Sequence, residues 1–249
     1  MTCPCRGMNP ACKLCGGSPE TVCPTCDGAQ YVAKEVADGV YHSDYCPDCK
    51  DRQTFKPRLI GLTDAMYSWA FYGPMMLEHP PLQRAAEALQ EILKAGHGWA
   101  VVFGPGSSGK SYLLGASLNV IKTYYIRSGR YARVPDLLEE ILDARRGLHP
   151  HQLTPNALKT EIINTGLLCL DDLEQVVWTE TREQDLRDIL VSRASMRGWI
   201  PTFVATALRG GELNDRYPWL GALLEDLEHV QRVDLSMVPN LHSVKGRVL

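Results

Sequence analysis

Between Gly104 and Ser111 the chain reads GPGSSGKS, in which three glycines, three serines and a proline surround one lysine. Ahead of it lies WAVVF (99–103), a short apolar run suited to a strand buried on both faces. Behind it, Tyr112-Leu-Leu-Gly-Ala-Ser-Leu-Asn-Val-Ile reads as a helix. A glycine loop that leads from a strand into a helix with the spacing GxxxxGK[ST] can curl its backbone N–H groups round a phosphate. The helix adds the positive end of its dipole. Gly104, Pro105, Gly106, Ser107, Ser108, Gly109, Lys110, Ser111 and Tyr112 are therefore expected to hold the phosphates of ATP, with Lys110 reaching the β- and γ-phosphates and Ser111 holding Mg²⁺.

A loop of this kind needs an acidic strand to complete the site. Residues 167–172, LLCLDD, supply an apolar run that ends in two carboxylates. Asp171 is expected to hold the magnesium, and Asp172 to orient or deprotonate the attacking water, with Glu174 the next candidate. Cys169, inside the run, reads as a small buried apolar residue. Further strands are expected at 131–134, 201–206 and 229–235, with helices at 80–96, 135–145, 155–164 and 182–198. Alternation of this kind indicates a doubly wound parallel α/β sheet, with the ligand at the C-terminal ends of the strands. There Thr206, at the end of PTFVAT, is expected to face the γ-phosphate or the water; the alternative is a plain strand-ending threonine.

The cysteines mark a different region. Nine occur in 249 residues, and all but Cys169 fall between positions 3 and 49. They come as one CxC and three CxxC pairs, and nothing at the N-terminus resembles the apolar core of a secretion signal, so the thiols should be reduced and bind metal. Two zinc ions are expected, one on Cys23, Cys26, Cys46 and Cys49 and one on Cys3, Cys5, Cys12 and Cys15, with an interleaved pairing left open. Disulfides, a redox pair and an iron–sulfur cluster are the alternatives. Tyr31-Val32 and Val40-Tyr41 flank Asp38-Gly39 as a hairpin between two of the pairs. The expected organisation is a zinc-binding module at 1–55, a linker and leading helix at 56–98, and an ATPase domain at 99–249.

The formal net charge is −3, and 22% of residues are charged, which excludes a uniformly basic nucleic-acid coat. No apolar run is long enough to span a membrane, so a cytoplasmic protein with no membrane contact is expected. Five basic residues against seven acidic ones in 1–55 favour a protein partner for that module. Arginines gather instead at Arg145-Arg146 and along 182–198, where Arg182, Arg187, Arg193 and Arg197 could track single- or double-stranded DNA; a solvated charged face is the plainer reading.

With GPGSSGKS, GRYARVPDLLEEI (129–141), LLCLDDLE (167–174) and IPTFVATAL (200–208) in hand, residues 58–235 resemble the AAA+ helicase loaders of the DnaC/DnaI type and the related IstB-type transposition ATPases. The resemblance implies a P-loop AAA+ ATPase that delivers or remodels a ring helicase, or in the second case a TnsC- or IstB-like transposition protein, on DNA. It also implies that the N-terminal module docks the partner, and it allows a homo-oligomer. Three features depart from the pattern. The family commonly carries an asparagine where this chain reads Ala205-Thr206-Ala207, so that only Thr206 could serve there. The chain reads Leu223-Leu-Glu-Asp-Leu227 where the family carries a finger arginine, and Arg209, Arg216 and Arg232 are alternatives between which the sequence does not choose. Little sequence follows the last strand, so little or no helical lid is expected. An ATP-binding adaptor with negligible hydrolysis is therefore a third reading.

Overall fold

A computed structural model describes residues 31–37, 40–45, 58–71, 78–121, 123, 124, 126–195 and 200–241. The eight N-terminal cysteines and Arg197 lie outside the described residues. The chain divides into two compact units, Met1–Phe55 and Lys56–Leu249. In the first, β1 (Tyr31–Ala37) and β2 (Val40–Tyr45) pair antiparallel, with Tyr31 opposite Tyr45 and an irregularity between Glu35 and Ala37.

The second unit is built on a six-stranded sheet. Its strands are β3 (Arg58–Ile60), β4 (Trp99–Phe103), β5 (Ser128–Arg133), β6 (Leu167–Asp171), β7 (Thr202–Thr206) and β8 (Val230–Asp234). They lie in the order β3-β5-β6-β7-β4-β8, and every pairing is parallel. The helices are α1 (Pro80–Ala95), α2 (Lys110–Val120), α3 (Val134–Arg145), α4 (Pro155–Ile163), α5 (Glu180–Ala194), α6 (Gly210–Arg216) and α7 (Pro218–Asp226).

Alternation along each strand explains how one sheet carries two cores. Ala100 and Val102 of β4, Leu167 and Cys169 of β6, and Phe203 and Ala205 of β7 pack with α1 and α2. Trp99, Val101 and Phe103, then Leu168 and Leu170, then Val204 face α3, α4, α5 and α7. Every residue of β4, β6 and β7 is buried, as expected of parallel strands covered on both faces. Cys169 is buried as expected, its Sγ 3.8 Å from the Leu114 carbonyl oxygen.

Residues ahead of the glycine loop belong to the same unit. β3 adds an edge strand beside β5. Asn119 of α2 donates to the carbonyls of Met66 and Trp69, both at 2.7 Å, which pins the 3-10 turn Asp64–Ser68 onto the helix. Helix α5 starts at Glu180, two residues earlier than the sequence suggests, because Thr179 caps it by accepting from the Arg182 N–H at 3.3 Å. Among the described residues no helix is long and apolar enough to cross a membrane.

The arginine face expected along 182–198 is corrected by the packing. Arg193 is fully buried, and its guanidinium makes five hydrogen bonds, to Thr202 Oγ1 and to the carbonyls of Ile162, Ile163, Thr165 and Pro201. Arg182 pairs with Glu139, and Arg145 holds Asp185 through two bonds of 2.9 and 3.0 Å. Of the helix's described arginines, Arg187 alone is exposed. The error has a physical origin: Leu186, Ile189, Leu190 and Arg193 form one helical stripe, and Arg193 takes the place of an apolar residue in it.

Candidate functional site

The parallel register brings five strand ends to one edge of the sheet. Phe103 lies beside Thr206 and Asp234, and Arg133 lies beside Asp171. The glycine loop leaves β4 at this edge. Its first residue is tied across the sheet, the Gly104 N–H donating to the Thr206 carbonyl at 3.2 Å, and its middle is held by the Leu241 N–H donating to Ser107 O at 3.0 Å.

The glycines at both ends of the loop have separate reasons. A Cβ on Gly104 would stand 2.7 Å from Ser108 Oγ and 2.9 Å from Leu235 Cβ, so the loop closes on itself only without one. Gly109 has φ 94°, in the left-handed region, with Leu82 and Leu241 packed against it. Ser107 adopts φ 64° in the same loop.

The loop presents donors with few internal acceptors. Helix α2 begins at Lys110, and no side chain caps it, so the N–H groups of its first turn face out of the helix unpaired within it. Ser108 Oγ is buried without a hydrogen-bond partner. Lys110 is buried, and its Nζ donates to Gly104 O at 2.7 Å and Pro105 O at 2.9 Å, which uses two of its three donors. Burial pushes the ammonium below its ordinary pKa; Asp171, then Glu174, then Asp172 act against that.

The acidic corner centres on Asp171. It is 1% exposed, and its carboxylate accepts from Tyr131 Oη at 2.8 Å and from the Asp172 N–H at 2.9 Å. The Ser111 hydroxyl acts on both Asp171 and Tyr131, favouring the charged form of each. Burial raises the Asp171 pKa above the usual carboxylate range, against the pull of Ser111 and Tyr131, and burial beside Asp171 drives the Tyr131 phenol far upward. Ser111, Asp171 and Tyr131 offer only oxygen, the donor set of a hard cation such as Mg²⁺, which keeps waters and phosphate oxygens among its ligands.

Not every residue expected at the site turns toward it. The Tyr112 ring stacks on Trp69 with centroids 5.3 Å apart, and its hydroxyl donates to Ala70 O at 2.9 Å, so this side chain braces the 3-10 turn. Asp172 adopts φ 57° and binds Arg133 Nε at 2.7 Å. Thr206 is buried and donates to Glu174 Oε2 at 2.9 Å, and the Ala207 N–H joins the same oxygen at 3.0 Å. Sequence reasoning missed Tyr131 and Arg133. The available signal was their position: two residues apart, they lie at the end of the strand beside the acidic one.

No family model matches the sequence, and no curated protein matches it. Solved structures do. A DNA replication initiation factor superposes with a TM-score of 0.57 at 17% identity, over 72% of this chain and 54% of its own. The replication initiator DnaA bound to AMPPCP and single-stranded DNA gives 0.56 at 16% identity, over 78% and 56%. The DnaC helicase loader gives 0.52 at 18% identity, over 69% of this chain and 99% of its own. The chain thus spans about half the length of the first two and nearly all of the third. These likenesses, the six-stranded parallel sheet and the glycine loop at its edge establish the architecture as the α/β fold of the P-loop AAA+ ATPases.

Proposed function

We propose that the chain binds and hydrolyses Mg-ATP and couples nucleotide state to the loading or remodelling of a partner on DNA, the partner being a ring helicase. The observation that carries the reading is the convergence of Lys110 and Ser111, from the end of β4, with Asp171, from the end of β6, on one edge of the sheet. The loop N–H groups and the α2 N-terminus bind phosphate oxygens, and Lys110 turns its remaining donor to them. Ser111 and Asp171 hold the magnesium, oriented by Tyr131; when bound, the metal neutralises charge on the β- and γ-phosphates. Thr206 acts through others, its carbonyl tying down Gly104 and its hydroxyl holding Glu174. The likeness to the DnaC helicase loader and to DnaA supports a replication role and DNA contact by the 56–249 unit.

In the same reading Cys3, Cys5, Cys12, Cys15, Cys23, Cys26, Cys46 and Cys49 bind two zinc ions, and this acidic module meets the protein partner. Metal analysis of the purified chain should give two zinc per molecule; zero or one refutes the count. The nucleotide test is Lys110→Ala with a fluorescent ATP analogue. Affinity should fall by about 100-fold or more, because a point charge on the phosphates is lost. Equal binding by both proteins refutes the site.

A further inference from the structure

Two carboxylates follow Asp171, and the fold treats them differently. Asp172 is drawn sideways: Arg133 Nε holds its Oδ2 at 2.7 Å, the same guanidinium donates to Gln175 Oε1 at 2.7 Å, and Asp136 lies 3.6 Å from it. This cluster sits on the rim, with the Arg133 side chain 43% exposed. Glu174 is turned the other way. The left-handed Asp172 folds the chain into the short 3-10 turn Leu173–Gln175, which carries the Glu174 side chain across from β6 to the end of β7. There Oε2 takes the Thr206 hydroxyl at 2.9 Å and the Ala207 N–H at 3.0 Å. Thr206 O is in turn the acceptor for Gly104 N, so the anchor of Glu174 is also the anchor of the phosphate loop. From the far side Arg216 donates to the Glu174 carbonyl at 3.3 Å and fixes the turn.

We propose that Glu174, held by Thr206, is the carboxylate that positions the attacking water and accepts its proton, and that Asp172 instead forms the rim ion pair with Arg133. The inference rests on the reading of the chain as an ATPase. The water oxygen forms a bond to the γ-phosphorus while the bond from that phosphorus to the β,γ-bridging oxygen breaks. The electron pair of the broken bond stays with ADP, and the water's proton passes to Glu174 and then to solvent, leaving inorganic phosphate. The spacing matters: the carboxylate stands three positions after the metal-holding Asp171, and the 3-10 turn closes that gap.

The test compares Glu174→Gln with Asp172→Asn in the full chain, measuring ATP turnover, affinity for a non-hydrolysable ATP analogue, and melting temperature. Glutamine keeps an oxygen for Thr206 and Ala207 but accepts no proton at catalytic pH. Glu174→Gln should lower kcat by about 100-fold or more while analogue affinity stays within about 3-fold. Its loss should exceed that of Asp172→Asn by at least about 10-fold. Thr206→Val, which leaves the carboxylate only the Ala207 N–H, should reproduce part of the kcat loss while analogue affinity stays within about 3-fold. A loss in Asp172→Asn equal to or larger than that in Glu174→Gln overturns the assignment. A wild-type chain that binds the analogue but never turns ATP over also overturns it and leaves nucleotide binding standing; failure to bind the analogue overturns both.

Discussion

Lys110 and Arg193 are both buried cations whose direct partners are mainly backbone carbonyls, and they sit at opposite ends of the same strands. Arg193 closes the N-terminal side, joining the end of α4 to the start of β7. Lys110 stands on the C-terminal side among the loop carbonyls. Burial draws the Arg193 guanidinium down to about 9, and it is left charged among carbonyl dipoles that occupy nearly all its donors. Lys110 has a donor to spare and three carboxylates acting on it from nearby. A saturated buried cation holds structure, whereas an unsaturated one beside acids is set up to meet a ligand.

The contrast breaks most visibly at Arg193. Arg193→Ala strips a hydrogen-bond partner from four carbonyls and a hydroxyl at once, and should cost about 3–5 kcal/mol in urea unfolding. A variant as stable as the wild type would show that these bonds are replaceable. Lys110→Met should do the opposite: analogue affinity lost, with unfolding free energy changed by less than about 1 kcal/mol, since the methionine also removes a desolvated charge. A stability loss as large as that of Arg193→Ala would end the distinction.

Asp171 sharpens the comparison from the acidic side. Burial raises its carboxyl pKa in the folded chain above the unfolded value. The associated stability is therefore present at pH values below the unfolded pKa and lost as pH rises through the folded one. In the ligand-free chain Asp171→Asn should thus stabilise at neutral pH and not in acid, as read from urea titrations at the two pH values. The same substitution should remove the magnesium dependence of analogue binding. The smallest effect belongs to Arg58–Glu161, a 3.0 Å pair whose arginine side chain is 70% exposed; Arg58→Ala should shift stability by less than about 0.5 kcal/mol.

Local pattern explains which parts were legible beforehand. The glycine loop, WAVVF and LLCLD need only short-range chemistry, and β4 and β6 occupy 99–103 and 167–171. The apolar pattern predicts a strand over 131–134, whereas β5 covers 128–133, because Ser128-Gly129-Arg130 carries no apolar signal and is a strand only through its partners β3 and β6. Arg193 resembles a surface charge by residue type, and only its place in the stripe of Leu186, Ile189 and Leu190 marks it as buried.

Local chemistry in the amino-acid sequence dictates that a glycine loop joins a buried strand to a helix and that a second apolar strand ends in acids. Each depends on residues within one turn or one strand of each other, where backbone freedom, capping and alternation decide the outcome. Tertiary structure alone decided which carboxylate meets which partner. Asp172 and Glu174 are two positions apart and both acidic, yet one reaches Arg133 on β5 and the other Thr206 on β7. That choice comes from the left-handed turn at Asp172 and from the order β5-β6-β7, which sets a different neighbour on each side of the same strand.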